Sequence, residues 1–89
     1  MLVRFPPHLR RFIDVPEEVD IHSNSLPDLL SQIESRFPGS SAYITHENGQ
    51  LRQHVNIFLD GKVVVDRKNL SDDLSGVTEV VIMQALSGG

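Results

Sequence analysis

Residues 54–65, HVNIFL-DG-KVVV, constrain this chain more than any other stretch. Two runs rich in β-branched and aromatic residues flank Asp60-Gly61, a pair that accepts the positive φ angles of a tight hairpin turn. Alternation within a strand sends Val55, Ile57 and Leu59 to one side and Phe58 to the other. A hairpin with one apolar side has to be covered, so the rest of the sequence must supply more strands and a covering element.

It supplies both. Val3 and Phe5 alternate with Arg4 ahead of Pro6-Pro7, which removes two backbone donors and ends a short first strand. Val19 and Ile21 alternate after the Pro16-Glu17-Glu18 break and form a second. Thr78-Glu79-Val80-Val81-Ile82-Met83-Gln84 reads as the last strand, with Val80 and Ile82 on one side and Val81 and Met83 on the other. One helix is expected from Ser25 to Phe37. Ser25 is the N-cap, Pro27 fits the first turn, and Asp28 suits the positive end of the helix dipole. Leu26, Leu29, Leu30, Ile33 and Phe37 form one apolar stripe before Pro38-Gly39 stops it. Residues 39–53 are polar apart from scattered positions and carry the Asn48-Gly49 turn signal, so a long loop with at most a small hairpin is expected. Residues 69–74 are too few for a stable helix and read as a turn.

Two strands, a helix, a hairpin and a final strand make an α+β layer pair in which one helix covers one face of a four- to five-stranded mixed sheet. Val55, Ile57, Leu59, Val80 and Ile82 belong to the covered face. Phe58, Val81 and Met83 then fall on the open face. Together with Leu86 they form a candidate docking patch for a partner.

With 89 residues there is room for one small core and little catalytic machinery. The chain carries a net charge of −4 and scattered acids, which argues against nucleic-acid or anionic-membrane binding. It has no cysteine, so disulfides, thiolate metal sites and Cys nucleophiles are excluded. No apolar run approaches the length of a membrane span or a signal segment, and a cytoplasmic location is expected. His8, His22, His46 and His54 lack the paired spacing of metal ligands. Asp72-Asp73 and Glu17-Glu18 are adjacent carboxylates that point apart in regular structure, and no acid–base role is assigned to them. No phosphate loop or nucleophile elbow occurs. The chain reads as a substrate or a partner rather than an enzyme: no catalytic or metal-binding residue is assigned.

The remaining signal is Ser87-Gly88-Gly89. On its own the Gly88-Gly89 pair fits a frayed terminus as well as a function. For function, glycine without a Cβ lets a backbone thread a narrow channel and present a carboxylate to another protein's active site. We therefore divide the chain into a domain over residues 1–84 and a flexible tail over 85–89.

The order of elements, the VNIFLDG hairpin, the strand EVVIMQAL and the ending SGG together resemble the ThiS/MoaD sulfur-carrier family of ubiquitin-like β-grasp proteins, with weaker support from Leu9-Arg10. The long segment between helix and third strand is more similar to MoaD-like and CysO-like members. The sequence departs from the family at Gln84, where many relatives have Pro. The resemblance implies that an E1-like adenylyltransferase uses ATP and Mg to adenylate the Gly89 carboxylate. A sulfur donor then converts it to a thiocarboxylate. It implies that Ser87 and Gly88 thread the partner's active site, that Phe58, Val81, Met83 and Leu86 dock, and that a downstream sulfur-using enzyme consumes the product. The chain itself binds no cofactor on this reading. Two alternatives keep the same fold: a ubiquitin-like modifier joined to lysines, and a binding domain with an inert tail.

Overall fold

The structure, a computed structural model, describes residues 1–84. In chain order it contains β1 (Leu2–Arg4), a 3-10 turn (Leu9–Arg11), β2 (Glu18–Asp20), α1 (Leu26–Arg36), α2 (Ser40–Ile44), β3 (Val55–Leu59), β4 (Lys62–Val63) and β5 (Glu79–Gln84). The strands form one sheet in the order β2-β1-β5-β3-β4. β1 and β5 lie parallel, with an antiparallel pairing on either side, β1 with β2 and β5 with β3. Parallel neighbours need a long crossover, and α1 lies within it. This is the mixed β-grasp sheet expected from the sequence.

The helix forms where its capping and stripe predict. The Asp28 N–H donates to Ser25 Oγ at 3.2 Å, and Pro27 occupies the first turn. Leu26, Leu29, Leu30 and Ile33 are buried and join Val3, Val55, Ile57, Leu59, Val80 and Ile82 in one core. All five β3 and β5 positions assigned to the covered face are therefore inside.

The hairpin turn has positive φ at both central residues, 49° at Asp60 and 84° at Gly61, the geometry that matches strand twist. Asp60 does a second job. Its carboxylate accepts from the Thr78 hydroxyl at 2.8 Å, from the Thr78 N–H at 3.1 Å and from the Glu79 N–H at 2.9 Å, tying the turn to the start of β5. The Thr78 hydroxyl foremost, then the two backbone donors, hold its carboxyl below the usual Asp range.

Two expectations need correction. The fourth strand was expected over residues 62–65 but ends at Val63. Val64 turns into the core, and Asp72 accepts the N–H groups of Val65 at 2.9 Å and Asp66 at 2.8 Å, which draws the chain off the ladder. Residues 39–53 are more than a loop: they contain α2, which was not expected, while the antiparallel Thr45–Leu51 bridge closes the small hairpin expected around Asn48-Gly49. Glu34 of α1 organises this segment by accepting from the Ser41 hydroxyl at 2.7 Å and from the Gly39 and Ser41 N–H groups, both at 2.9 Å. The Ser41 hydroxyl foremost, then the two N–H groups, hold its carboxyl below the usual Glu range. Ile44 and Leu51 then drop into the core.

Candidate docking face and tail exit

The face of the sheet turned away from α1 is built in rows. Cross-strand partners share a face, and the register gives one unbroken row: Glu18 opposite Arg4, Arg4 opposite Val81, Val81 opposite Phe58, Phe58 opposite Val63. Its character changes along its length. On the β2–β1 side it is ionic: Arg4 Nε lies 3.0 Å from Glu79 Oε2, and its guanidinium lies 3.7 Å from Glu18. On the β5–β3–β4 side it is apolar. Phe58 and Val81 are partly exposed, Val63 is 50% exposed, and Met83, two residues beyond Val81, is 47% exposed. With strands about 4.8 Å apart, the apolar part of the row is about 10 Å wide.

The expected grouping of Phe58, Val81 and Met83 is thus present on the open face. Val63 joins them and was missed. Its signal was available: a two-residue turn sets Leu59 opposite Lys62, and counting back one position places Val63 opposite Phe58. The remaining expected site residues, Leu86, Ser87, Gly88 and Gly89, lie outside the described residues.

The patch leads to the end of β5. Gln84 remains in the ladder opposite Val55. The start of β3 is clamped there by Arg67, which donates to Asn56 Oδ1 at 2.6 Å and to the carbonyls of Arg52 at 2.7 Å and Val55 at 2.9 Å. Asn56 sits opposite Met83, so this clamp also fixes the lower edge of the patch. Beside Gln84 a cleft of about 460 Å³ is lined by Tyr43, His46, Arg52 and His54 among others, none of them acidic. Tyr43 is linked onward, its hydroxyl 3.0 Å from His8 Nδ1, and burial raises its pKa above the ordinary phenol value. Gln84 Oε1 is buried without a hydrogen-bond partner among the described residues.

A cleft of about 500 Å³ beside α1 is lined by Pro27, Leu30, Glu34 and Lys68 among others, but both Glu34 oxygens already accept hydrogen bonds. Among the described residues no group of three or more His, Asp or Glu side chains is placed to hold a metal ion. No helix among them is long and apolar enough to cross a membrane. The acid pair Asp72-Asp73 serves the backbone: Asp72 holds Val65 and Asp66, and Asp73 accepts from the Ser75 N–H at 3.0 Å.

The model of the ThiS family matches residues 3–89. No curated protein matches the chain by sequence. Among solved structures, the fold is similar to a chain of the Amycolatopsis orientalis BexX/CysO complex, with a TM-score of 0.83 and 22% identity over 99% of this chain and 98% of that one. It is similar to Mycobacterium tuberculosis CysO, an antigen, with a TM-score of 0.81 and 23% identity over 96% and 98% of the two chains. Haloferax volcanii SAMP1 gives a TM-score of 0.74 at 18% identity, covering 100% of this chain and 98% of that one.

Proposed function

The chain belongs to the ThiS family of ubiquitin-like sulfur carriers, and on that premise we propose that its Gly89 carboxylate is the group on which sulfur travels. A carboxylate is a poor electrophile. Attack of its oxygen on the α-phosphorus of ATP, with loss of pyrophosphate, makes an acyl-adenylate. A sulfur nucleophile then forms the C–S bond as AMP leaves, and the product is a thiocarboxylate. The activating enzyme, E1-like in class, supplies ATP, Mg and the charge stabilisation. This chain supplies the acyl group and no catalysis, in the cytoplasm. Ser87 and Gly88 thread the enzyme's channel, and Phe58, Val81, Met83 and Leu86 dock it, first on the activating enzyme and then on the enzyme that consumes the sulfur.

The observation that carries this reading is the extent of the family match, which runs through Gly89. The apolar end of the outer row supports it, because it leads along β5 to the point where the tail begins. The absence of cysteine agrees with a carrier whose sulfur resides on the main chain.

The test mixes the chain with an E1-like adenylating enzyme, ATP and sulfide, followed by a thiol-selective alkylating reagent and intact mass measurement. Since the chain has no thiol, alkylation marks only a thiocarboxylate, and oxidation of Met1 or Met83 cannot imitate it. An adduct mapped to Gly89 is the expected result. No adduct, with an enzyme that is active on another carrier, would overturn the reading in favour of a modifier or an inert-tail domain.

A further inference from the structure

The two ends of the sheet differ in charge in a way the docking patch does not explain. β1 runs parallel to β5, so the 3-10 turn that follows β1 lies at the end where β5 finishes, and β3, antiparallel to β5, starts there too. That end gathers Arg10 and Arg11 from the 3-10 turn, Arg52 from the segment before β3, and Arg67 clamped beneath it. Arg10 and Arg11 are exposed. The opposite end carries Asp20 at the β2 edge, paired with the Met1 ammonium, and Asp60 and Glu79 near the hairpin turn, where Lys62 also lies. In a chain of net charge −4, four of its eight Lys and Arg residues therefore lie toward the end of the sheet where β5 finishes.

Aromatic groups join the two sides of this rim. Phe12, 70% exposed, packs edge-on against His8 with ring centroids 5.2 Å apart, and His8 meets the Tyr43 hydroxyl that borders the cleft. Glu47 borders a depression with Arg52, and Asp14 and Glu17 follow the 3-10 turn in the same connection, the Glu17 carbonyl accepting from the Phe5 N–H at 3.1 Å. Among the described residues none of these acids is ion-paired with Arg10, Arg11 or Arg52.

We propose that this rim of Arg10, Arg11 and Arg52, with Phe12 exposed beside it, is a second docking contact, and that its partner is a carboxylate-rich lip around the channel of the enzyme that receives the tail. The assignment of the partner rests on the carrier reading; the rim itself does not. Apolar contact at Phe58 and Met83 supplies area but no orientation about the axis of the tail. Cations grouped at the end where β5 finishes steer the chain toward an acidic mouth and act chiefly on the association rate.

The test has two arms. In the first, the isotope-labelled full chain is titrated with hexaglutamate, and with hexaglutamine as the control, at low ionic strength. Saturable amide shifts at residues 10–12, 46, 52 and 54 are expected with hexaglutamate alone, weakened by salt and lost in the double variant R10E/R11E. Shifts that are absent, or scattered over the molecule, overturn the rim whether or not the chain carries sulfur. In the second arm, kcat/KM for adduct formation with the activating enzyme should fall about tenfold in R10E/R11E, with kcat unchanged. Arg52 Nε donates to the Ala42 carbonyl at 2.7 Å, and Arg52→Gln, which removes the charge and keeps an amide donor, should fall less. Peptide binding without a change in kcat/KM overturns the assignment of the partner. Failure of the wild type to form any adduct overturns the carrier reading, and the partner assignment with it, while the peptide result stands.

Discussion

The two faces of the sheet share the same strands and differ in what their apolar residues are for. On the inner face Val3, Ile57 and Val80 are fully buried and Ile82 is 1% exposed, all packed with the α1 stripe. On the outer face Phe58, Val81, Val63 and Met83 sit together with no element over them among the described residues. Burial against the helix is a folding contribution, collected within the chain. The outer cluster keeps more of its surface in water, with Val63 and Met83 about half exposed and Phe58 and Val81 partly so, and that remaining surface is what a partner would cover. The ionic pairs of Arg4 next to it are exposed and add little stability, but they bound the apolar patch on one side.

The largest effect should come from truncating the inner face. Ile57→Ala removes a fully buried side chain opposite Ile82 and should cost about 2–5 kcal/mol in urea unfolding, a large part of what a domain of this size possesses. Truncating the outer face by Phe58→Ala, at a partly exposed position, should cost less, about 1–2 kcal/mol, by the same measurement. Equal losses would erase the distinction between the faces.

The converse experiment sharpens it. Phe58→Asp should leave a folded chain with an unchanged far-UV spectrum, yet weaken affinity for the activating enzyme at least about tenfold, as loss of a central apolar anchor does. Val63→Asp, at the edge of the same row, should act in the same direction with smaller size. Titration calorimetry with unchanged affinity in Phe58→Asp would remove the patch from the mechanism.

How much of this was legible depends on the range of the interactions. The helix and the hairpin were readable because Ser25, the Leu26 to Ile33 stripe and Asp60-Gly61 act within a few residues of themselves. The face assignment was readable because a period of two needs no knowledge of the partner strand. In residues 39–53 the small hairpin was readable from Asn48-Gly49, but α2 was not, because its order is imposed from α1: Glu34 caps it from outside the segment. The truncation of the fourth strand was hidden for the same reason, since Asp72 acts on Val65 and Asp66 across an intervening turn. His46 and His54 looked unrelated in sequence but border one cleft, because the Thr45–Leu51 bridge brings the ends of their segment together. The terminal glycines were legible as a motif and lie beyond the described residues.

The smallest effect belongs to neither face but to the exposed carboxylate that joins the hairpin to β5. Asp60 has a folded-state pKa below its unfolded value of about 3.9, so its contribution is complete above that value and disappears as pH falls through the folded one. Asp60→Asn keeps a side chain that tolerates the positive φ of 49° but loses one charged acceptor. The variant should therefore be less stable than wild type near neutral pH, and the two urea midpoints should converge in acid. Asp28, Glu34, Asp66 and Asp73 are also held low by hydrogen bonds and titrate in the same window, so the whole chain loses stability there. Only the difference between variant and wild type isolates Asp60. A difference that stays constant with pH would mean that its hydrogen bonds to Thr78 and Glu79 do not depend on its charge, and that the hairpin is held to β5 by the ladder alone.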